Sequence, residues 1–211
     1  LGQLLSLSGR HNTSAVLTGE GEYLRVVGGN ATERAILSFV AGKQETANVS
    51  VTGSIPFSSQ NKYSAARVDG DYSLSLGKGA PEKILVRCKY RYDENGEKRP
   101  MLPDNPAVNE KIDDMAGRAI RVLALATCDG DICQDALPDG AWTLVGVIGI
   151  RDEVRPESVG AIAQVQSAGV QVVMITGDRK DTAVAIAREA GLLKSEGDIV
   201  LTSDELAGLS D

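Results

Sequence analysis

The chain has 211 residues, enough to bury a sizeable core without staples, and its formal charge of −7 argues against a nucleic-acid backbone as partner, which calls for clustered Lys and Arg. Three cysteines, Cys88, Cys128 and Cys133, show no secreted-framework spacing, and a single histidine, His11, leaves no metal-ligand set, so reduced thiols in a cytosolic setting are expected. The longest apolar run, Trp142 to Ile150, is about half of the ~20 residues a membrane helix needs. With no signal-like amino terminus and a start at Leu1, the chain reads as an excised soluble piece of a longer protein.

The first half is predicted to be an antiparallel sheet with helices. Asn30 stands three residues before Glu33 in a cap-and-return arrangement, and Ala35, Ile36, Phe39 and Val40 recur at helical spacing, so a helix is expected over 31–41. Val49, Val51 and Ile55 alternate as in a strand. The runs 62–68 and 71–76 flank Asp69-Gly70, a dipeptide that predicts a tight hairpin turn. Pro81 suits the first turn of a helix to about Cys88, and Tyr90 to Pro103 reads as an exposed loop. A helix over 107–116, a strand over 120–126 and a polar turn region over 129–140 follow.

From Trp142 the pattern changes to an apolar strand, a helix starting near Pro156, a second apolar strand over 170–175 and a helix over 181–190. Strands that are apolar throughout and separated by helices imply a parallel βαβ unit. The boundary is placed near Val145, giving domains over 1–145 and 146–211, in a fold that is α/β (α+β).

Several short constellations carry candidate chemistry. Thr176, Gly177 and Asp178 follow the second apolar strand, where open α/β sheets bind ligands near helix amino termini; a simple capped turn would also explain them. Lys78, in Lys78-Gly79-Ala80-Pro81-Glu82, offers a point charge to a phosphate, or else is a solvated lysine at a sheet edge. Phe57, in Pro56-Phe57-Ser58-Ser59-Gln60-Asn61-Lys62, is either an exposed ring able to stack on a base or a core ring closing the sheet. Arg121 opens an alternating strand, and Asp152 and Arg155 follow the strand that ends at Ile150.

Taken together and in this order, the motifs resemble those of P-type cation-transporting ATPases, most nearly the calcium pumps of the plasma-membrane type and their bacterial relatives, from about Gly28 onward. The resemblance implies an antiparallel nucleotide-binding domain followed by part of a phosphorylation domain of haloacid-dehalogenase (HAD) type. It implies that ATP, with Mg2+, is bound by Glu33 at the adenine, Phe57 stacked on it, Lys62 and Lys78 in the pocket, and Arg121 at the phosphates. Asp152 and Arg155 match the D-P-x-R segment, and Thr176, Gly177 and Asp178 match the TGD motif beside the phosphorylated aspartate. Implied partners are the actuator and transmembrane domains of a membrane pump, on whose cytoplasmic side this piece would lie.

Two positions depart from the family pattern: Glu153 replaces the first proline of D-P-x-R, and Ser59 stands where animal calcium pumps often carry arginine. No DKTGT segment occurs, so the aspartate that accepts the phosphate is missing and the piece is expected to bind ATP without turning it over. The rival reading is a free-standing phosphatase of the HAD type with an inserted cap. Its best nucleophile, Asp152, is followed two residues on by Val154 and not by a second aspartate.

Overall fold

Alternating and fully apolar runs build one large sheet. In a computed structural model, which describes residues 1–19, 21–43, 47–102, 104–118, 120–132, 137–138, 141–151, 154–176, 180–195 and 197–208, seven strands form it. They are β3 (Val49–Ile55), β4 (Tyr63–Gly70), β5 (Leu74–Gly79), β6 (Cys88–Tyr92), β7 (Lys98–Pro100), β8 (Arg121–Cys128) and β9 (Trp142–Ile150), in the order β3-β4-β5-β8-β9-β6-β7. The pairings β3 with β4, β4 with β5, β5 with β8 and β6 with β7 are antiparallel, whereas β6 runs parallel to β9. A separate two-stranded ribbon joins β1 (Ala15–Thr18) to β2 (Arg25–Gly28).

The chain divides into two compact units, one of residues 1–112 and 122–150, the other of residues 113–121 and 151–211. In the first, both faces of the sheet are covered. Helix α1 (Gly2–His11) lays Leu7 on Val68 and Leu76, and α2 (Ala31–Ala41) lays Leu37 and Val40 on Ala15 of the ribbon. The opposite face carries the main core, where Trp142, Ala65, Ala126, Leu144 and Ile84 of the short helix α3 (Pro81–Ile84) meet, with Val108 and Ile112 of α4 (Pro106–Gly117) against them. Burying each large aliphatic or aromatic side chain is worth about 1.5–3 kcal/mol, which makes this sheet the stable part of the unit.

The predicted helix over 31–41 forms with both halves of its capping box: Asn30 Oδ1 accepts from the Glu33 amide at 3.0 Å and Glu33 Oε2 accepts from the Asn30 amide at 3.0 Å. Two expectations for the first half are corrected. The hairpin does not turn on Asp69-Gly70, because β4 runs through Gly70, where Asp69 and Gly70 pair with Ser50 and Val49 of β3, and residues 71–73 connect it to β5. The cause is the start of β3, where the Asn48 amide and carbonyl bond Asp71 Oδ2 and the Asp71 amide at 2.8 and 3.0 Å and draw the end of β4 onto β3. Likewise the stretch from Tyr90 to Pro100 is no loop but holds the end of β6 and all of β7, whose turn is organised by Asp93 Oδ1 accepting from the amides of Asn95 and Glu97 at 3.0 and 2.9 Å, while Pro103 lies outside the described residues.

The second unit holds α5 (Pro156–Ser167), α6 (Lys180–Glu189) and α7 (Ser203–Ala207). Helix α5 starts with Pro156 at its first turn, and Arg151 is ion-paired with Glu189 near the end of α6. Glu205 closes the capping box of α7 with Thr202 and accepts from Lys180 at 3.1 Å; the Thr202 amide and then the Lys180 ammonium hold its carboxyl down at about 2. The predicted strand over 170–175 is a third correction: among the described residues it joins no ladder, and Val173 and Ile175 are 68% and 93% exposed. Its apolar sequence favours burial in a sheet, yet a strand exists only with a neighbour to bond, and this segment is hydrogen-bonded into none of the sheets formed by the described residues.

Candidate functional site

Register places three of the predicted pocket residues at one end of the sheet. β3 ends at Ile55, paired with Ala65, and Phe57 follows two residues later; Tyr63, paired with Gly79, opens β4 immediately after Lys62. Lys78 sits one residue before Gly79, opposite Ser64. The intervening loop folds back on itself, with the Lys62 amide donating to the Ser58 carbonyl at 2.8 Å and the Asn61 amide to Ser58 Oγ at 3.1 Å. Lys62 adopts a φ of 59°, and its carbonyl accepts from the Ala80 amide at 2.9 Å. That approach requires glycine at 79, since a Cβ there would stand 2.6 Å from the Lys62 carbonyl oxygen.

The two lysines of this end differ in environment. Lys62 is exposed and pairs with Glu82 at 3.5 Å across solvent, an ion pair of small energetic weight. Lys78 is 5% exposed, and its Nζ donates to the main-chain oxygen of Asn12 at 2.5 Å. Burial pulls its ammonium down to about 8, and the Glu33 carboxylate opposes that shift. The reading of Lys78 as a solvated edge lysine is therefore set aside. The Asn12 carbonyl occupies one of three ammonium N–H groups. Opposite, the buried Ser64 hydroxyl has no hydrogen-bond partner among the described residues.

Glu33 is buried as well, its carboxylate accepting from the Ser14 amide and hydroxyl at 3.3 and 3.2 Å and from the Asn30 amide. It thereby ties the start of α2 to the chain before β1 and sets a negative charge behind Lys78. Phe57, in contrast, is 48% exposed, so its ring is not the core plug that was the alternative. Arg121 is the exposed first residue of β8 and groups with the second unit. There, Arg155 is the exposed N-cap of α5 and Thr176 is exposed at the end of the irregular 170–176 segment; Asp152, Gly177 and Asp178 lie outside the described residues. Cys88 is buried and its thiol pushed up to about 12 by burial, which makes it unreactive, and Cys128 is buried; Cys133 lies outside the described residues. Sequence reasoning missed Asn12 and Ser64, small polar residues that no local pattern separates from ordinary turn and strand residues.

The sequence model of the family described as P-type ATPase, cytoplasmic domain N, matches residues 1–157. The chain belongs to this family. The match contains Glu33, Phe57, Lys62, Lys78, Arg121, Asp152 and Arg155, while Thr176 to Asp178 lie beyond it. Similar full proteins include a putative calcium-transporting ATPase 11, plasma membrane-type, of Arabidopsis thaliana, 35% identical over 202 residues (92% of this chain, 20% of the relative). The calcium-transporting ATPase 1, plasma membrane-type, of Oryza sativa subsp. japonica is 37% identical over 180 residues (80% of this chain, 17% of the relative). A probable cation-transporting ATPase F of Mycobacterium bovis is 34% identical over 218 residues (97% and 24%). The chain thus spans about a fifth of the length of the curated relatives it matches, and the family resemblance carried by its motifs is borne out. The large, mostly antiparallel sheet with flanking helices is the architecture expected of this N domain. None of the described helices is long and apolar enough to cross a membrane.

Proposed function

We propose that the chain is the ATP-binding portion of a P-type pump that couples ATP hydrolysis, through an aspartyl phosphate, to transport of a cation, calcium on the strength of its relatives. The observation that carries this is Lys78: a P-type ATPase N domain keeps an ammonium buried near the sheet end, with one of its three donors used among the described residues, and the strand end that leads to Phe57 carries an exposed aromatic ring. Burying a charge costs several kcal/mol unless it is compensated, and a fold keeps such a group where an anion or a nucleobase arrives to use it.

In this reading the adenine stacks on Phe57, Glu33 and Lys78 form the pocket floor, and Lys62 flanks the entrance. Arg121 reaches the phosphates. Asp152, Arg155, Thr176, Gly177 and Asp178 belong to a HAD-like phosphorylation domain over 146–211, of which 1–145 is the nucleotide-binding partner. Mg2+, when bound with ATP, neutralises phosphate charge. This chain's own residues bind and orient the nucleotide; with no DKTGT segment among them, they bind ATP without cleaving it. One aromatic stack and one or two cation contacts, set against lost ligand freedom, place Kd at roughly 0.1 mM to a few mM. In the intact protein the actuator and transmembrane domains would complete the cycle at the cytoplasmic side of a plasma membrane.

An ATP titration followed by amide NMR tests the pocket. Residues around Phe57, Lys78 and Glu33 shift at millimolar ATP; shifts confined to other regions would remove the assignment.

A further inference from the structure

We infer that Asn12, at the end of α1, is the residue that positions the Lys78 ammonium, acting as a clamp between the helix, strands β4 and β5, and the pocket floor. The inference rests on the ATP-pocket reading for its functional meaning, although the clamp itself is visible without a ligand. Asn12 is 3% exposed. Its amide bonds the Ser8 carbonyl at 3.1 Å, completing the last helical turn, so its own carbonyl is one of the four that a helix leaves unsatisfied at its carboxyl end. Lys78 Nζ satisfies that carbonyl at 2.5 Å, and a cation there is further favoured by the negative end of the helix dipole.

The side chain fixes the place where this happens. Asn12 Nδ2 donates to the carbonyl of Ser64 on β4 at 3.2 Å and to that of Leu76 on β5 at 3.1 Å. Ser64 is the register partner of Lys78, and Leu76 lies two residues before it on the same face. The amide therefore pins the helix end directly above the lysine. Removing the amide leaves the carbonyl free to drift from Nζ and leaves the ammonium buried with a weaker acceptor.

The charged groups on the elements packed around Lys78 are few. Glu33 on α2 acts on it by charge. On α1, Arg10 is occupied with the carbonyls of Val40, Ala41 and Lys43, and His11 adjoins Asn12. The β4 and β8 residues on the lysine's side are Ser64, Ala66, Val68, Leu123, Leu125 and Thr127, none of them ionisable near neutrality. A change in the lysine's titration is thus traceable to the clamp or to Glu33.

The test follows the ε-methylene signal of Lys78 in the 211-residue chain labelled with 13C-lysine, without nucleotide, the signal being assigned by its loss in Lys78→Arg. The wild type titrates near 8. Asn12→Ala lowers that midpoint by about half a unit or more, because the charged form loses a hydrogen-bond acceptor in a buried place. Asn12→Ser, which keeps one small donor and less disturbs folding, falls between the two. Leu7→Ala, which destabilises the same helix at its apolar contact, lowers the melting temperature but leaves the midpoint in place. An Asn12→Ala midpoint that stays put, or climbs toward the ordinary lysine value, overturns the inference, as does an equal shift in Leu7→Ala. Should Asn12→Ala not fold, the same criteria apply to Asn12→Ser. ATP affinity at pH 7.5 is then measured on the same variants, and Asn12→Ala weakens it by about 1.5-fold for a half-unit drop in the midpoint and about threefold for a full unit, as the protonated fraction falls. A wild type that binds no ATP while the midpoints move as stated removes the pocket reading and leaves the clamp standing.

Discussion

Two regions of this chain carry equally strong sequence signals and end differently. The sheet end around Lys78 folds into a defined arrangement of a buried ammonium, a helix carbonyl and a carboxylate. The stretch 170–176, which is just as apolar and leads into Thr-Gly-Asp, joins no ladder among the described residues and exposes Val170, Val173 and Ile175. The difference lies in partners. β5 has β4 and β8 on its two sides, with α1 over one face and the main core over the other, so the Lys78 ammonium meets the helix-end carbonyl. An apolar strand sequence without a neighbour has hydrophobicity but no ladder to order it.

The contrast can be broken by mutation. The largest effect is expected at Trp142, fully buried with its ring where a Cβ on Gly77 would lie 2.6 Å from it. Trp142→Ala destabilises the sheet unit by about 3–5 kcal/mol in a denaturant melt. The counterpart, Val173→Ala on a 68% exposed side chain, changes stability by less than about 0.5 kcal/mol. Near-equal losses at the two sites would mean that 170–176 is packed after all.

A second, smaller effect separates function from stability at Lys78. The ammonium titrates near 8 when folded against 10.5 when unfolded, so below the folded value the native state holds a charge that burial disfavours. The unfolded state binds more protons between those values, and stability therefore rises as pH increases from 8 toward 10.5. Lys78→Met removes this penalty along with the Asn12 hydrogen bond and leaves the chain about 1–2 kcal/mol more stable at pH 7. The wild-type rise in stability over that pH window is absent from the variant, which thermal melts at pH 7 and pH 10 would show.

The smallest effect is expected at Lys62. Its ion pair with Glu82 is more than half exposed at both ends, so Lys62→Gln alters stability by no more than about 0.5 kcal/mol. Its ATP affinity falls less than that of Lys78→Met, and a reversal of that order in parallel titrations would move the pocket's anchor from β5 to the loop.

Much of the fold was legible where local chemistry decides it. Asn30 and Glu33 announced α2, Pro81 announced α3 and Pro156 announced α5, because caps and proline act within one turn of chain. The turn at Asp69-Gly70 was misjudged because a contact from Asn48, more than twenty residues away, decides where β4 ends. The hairpin of β6 and β7 was hidden by charge, since Lys89, Arg91, Lys98 and Arg99 look like loop residues until Tyr90 and Tyr92 are seen on the other parity. At the site, Lys78 and Phe57 were visible as motif residues, but the burial of one and the exposure of the other were not. Asn12 was invisible, because its importance comes from three bonds to β4 and β5, all formed only in the folded chain.

The central claim is that Lys78 is kept buried and charged for a nucleotide at some cost to the fold. Isothermal titration of ATP into wild type and Lys78→Met at pH 7, with a melt of each, tests it most directly. The account predicts a variant that melts higher and binds ATP at least about tenfold more weakly, the loss of one charge-assisted contact. A variant that melts lower and binds ATP as well as wild type would make Lys78 a structural lysine and contradict the account.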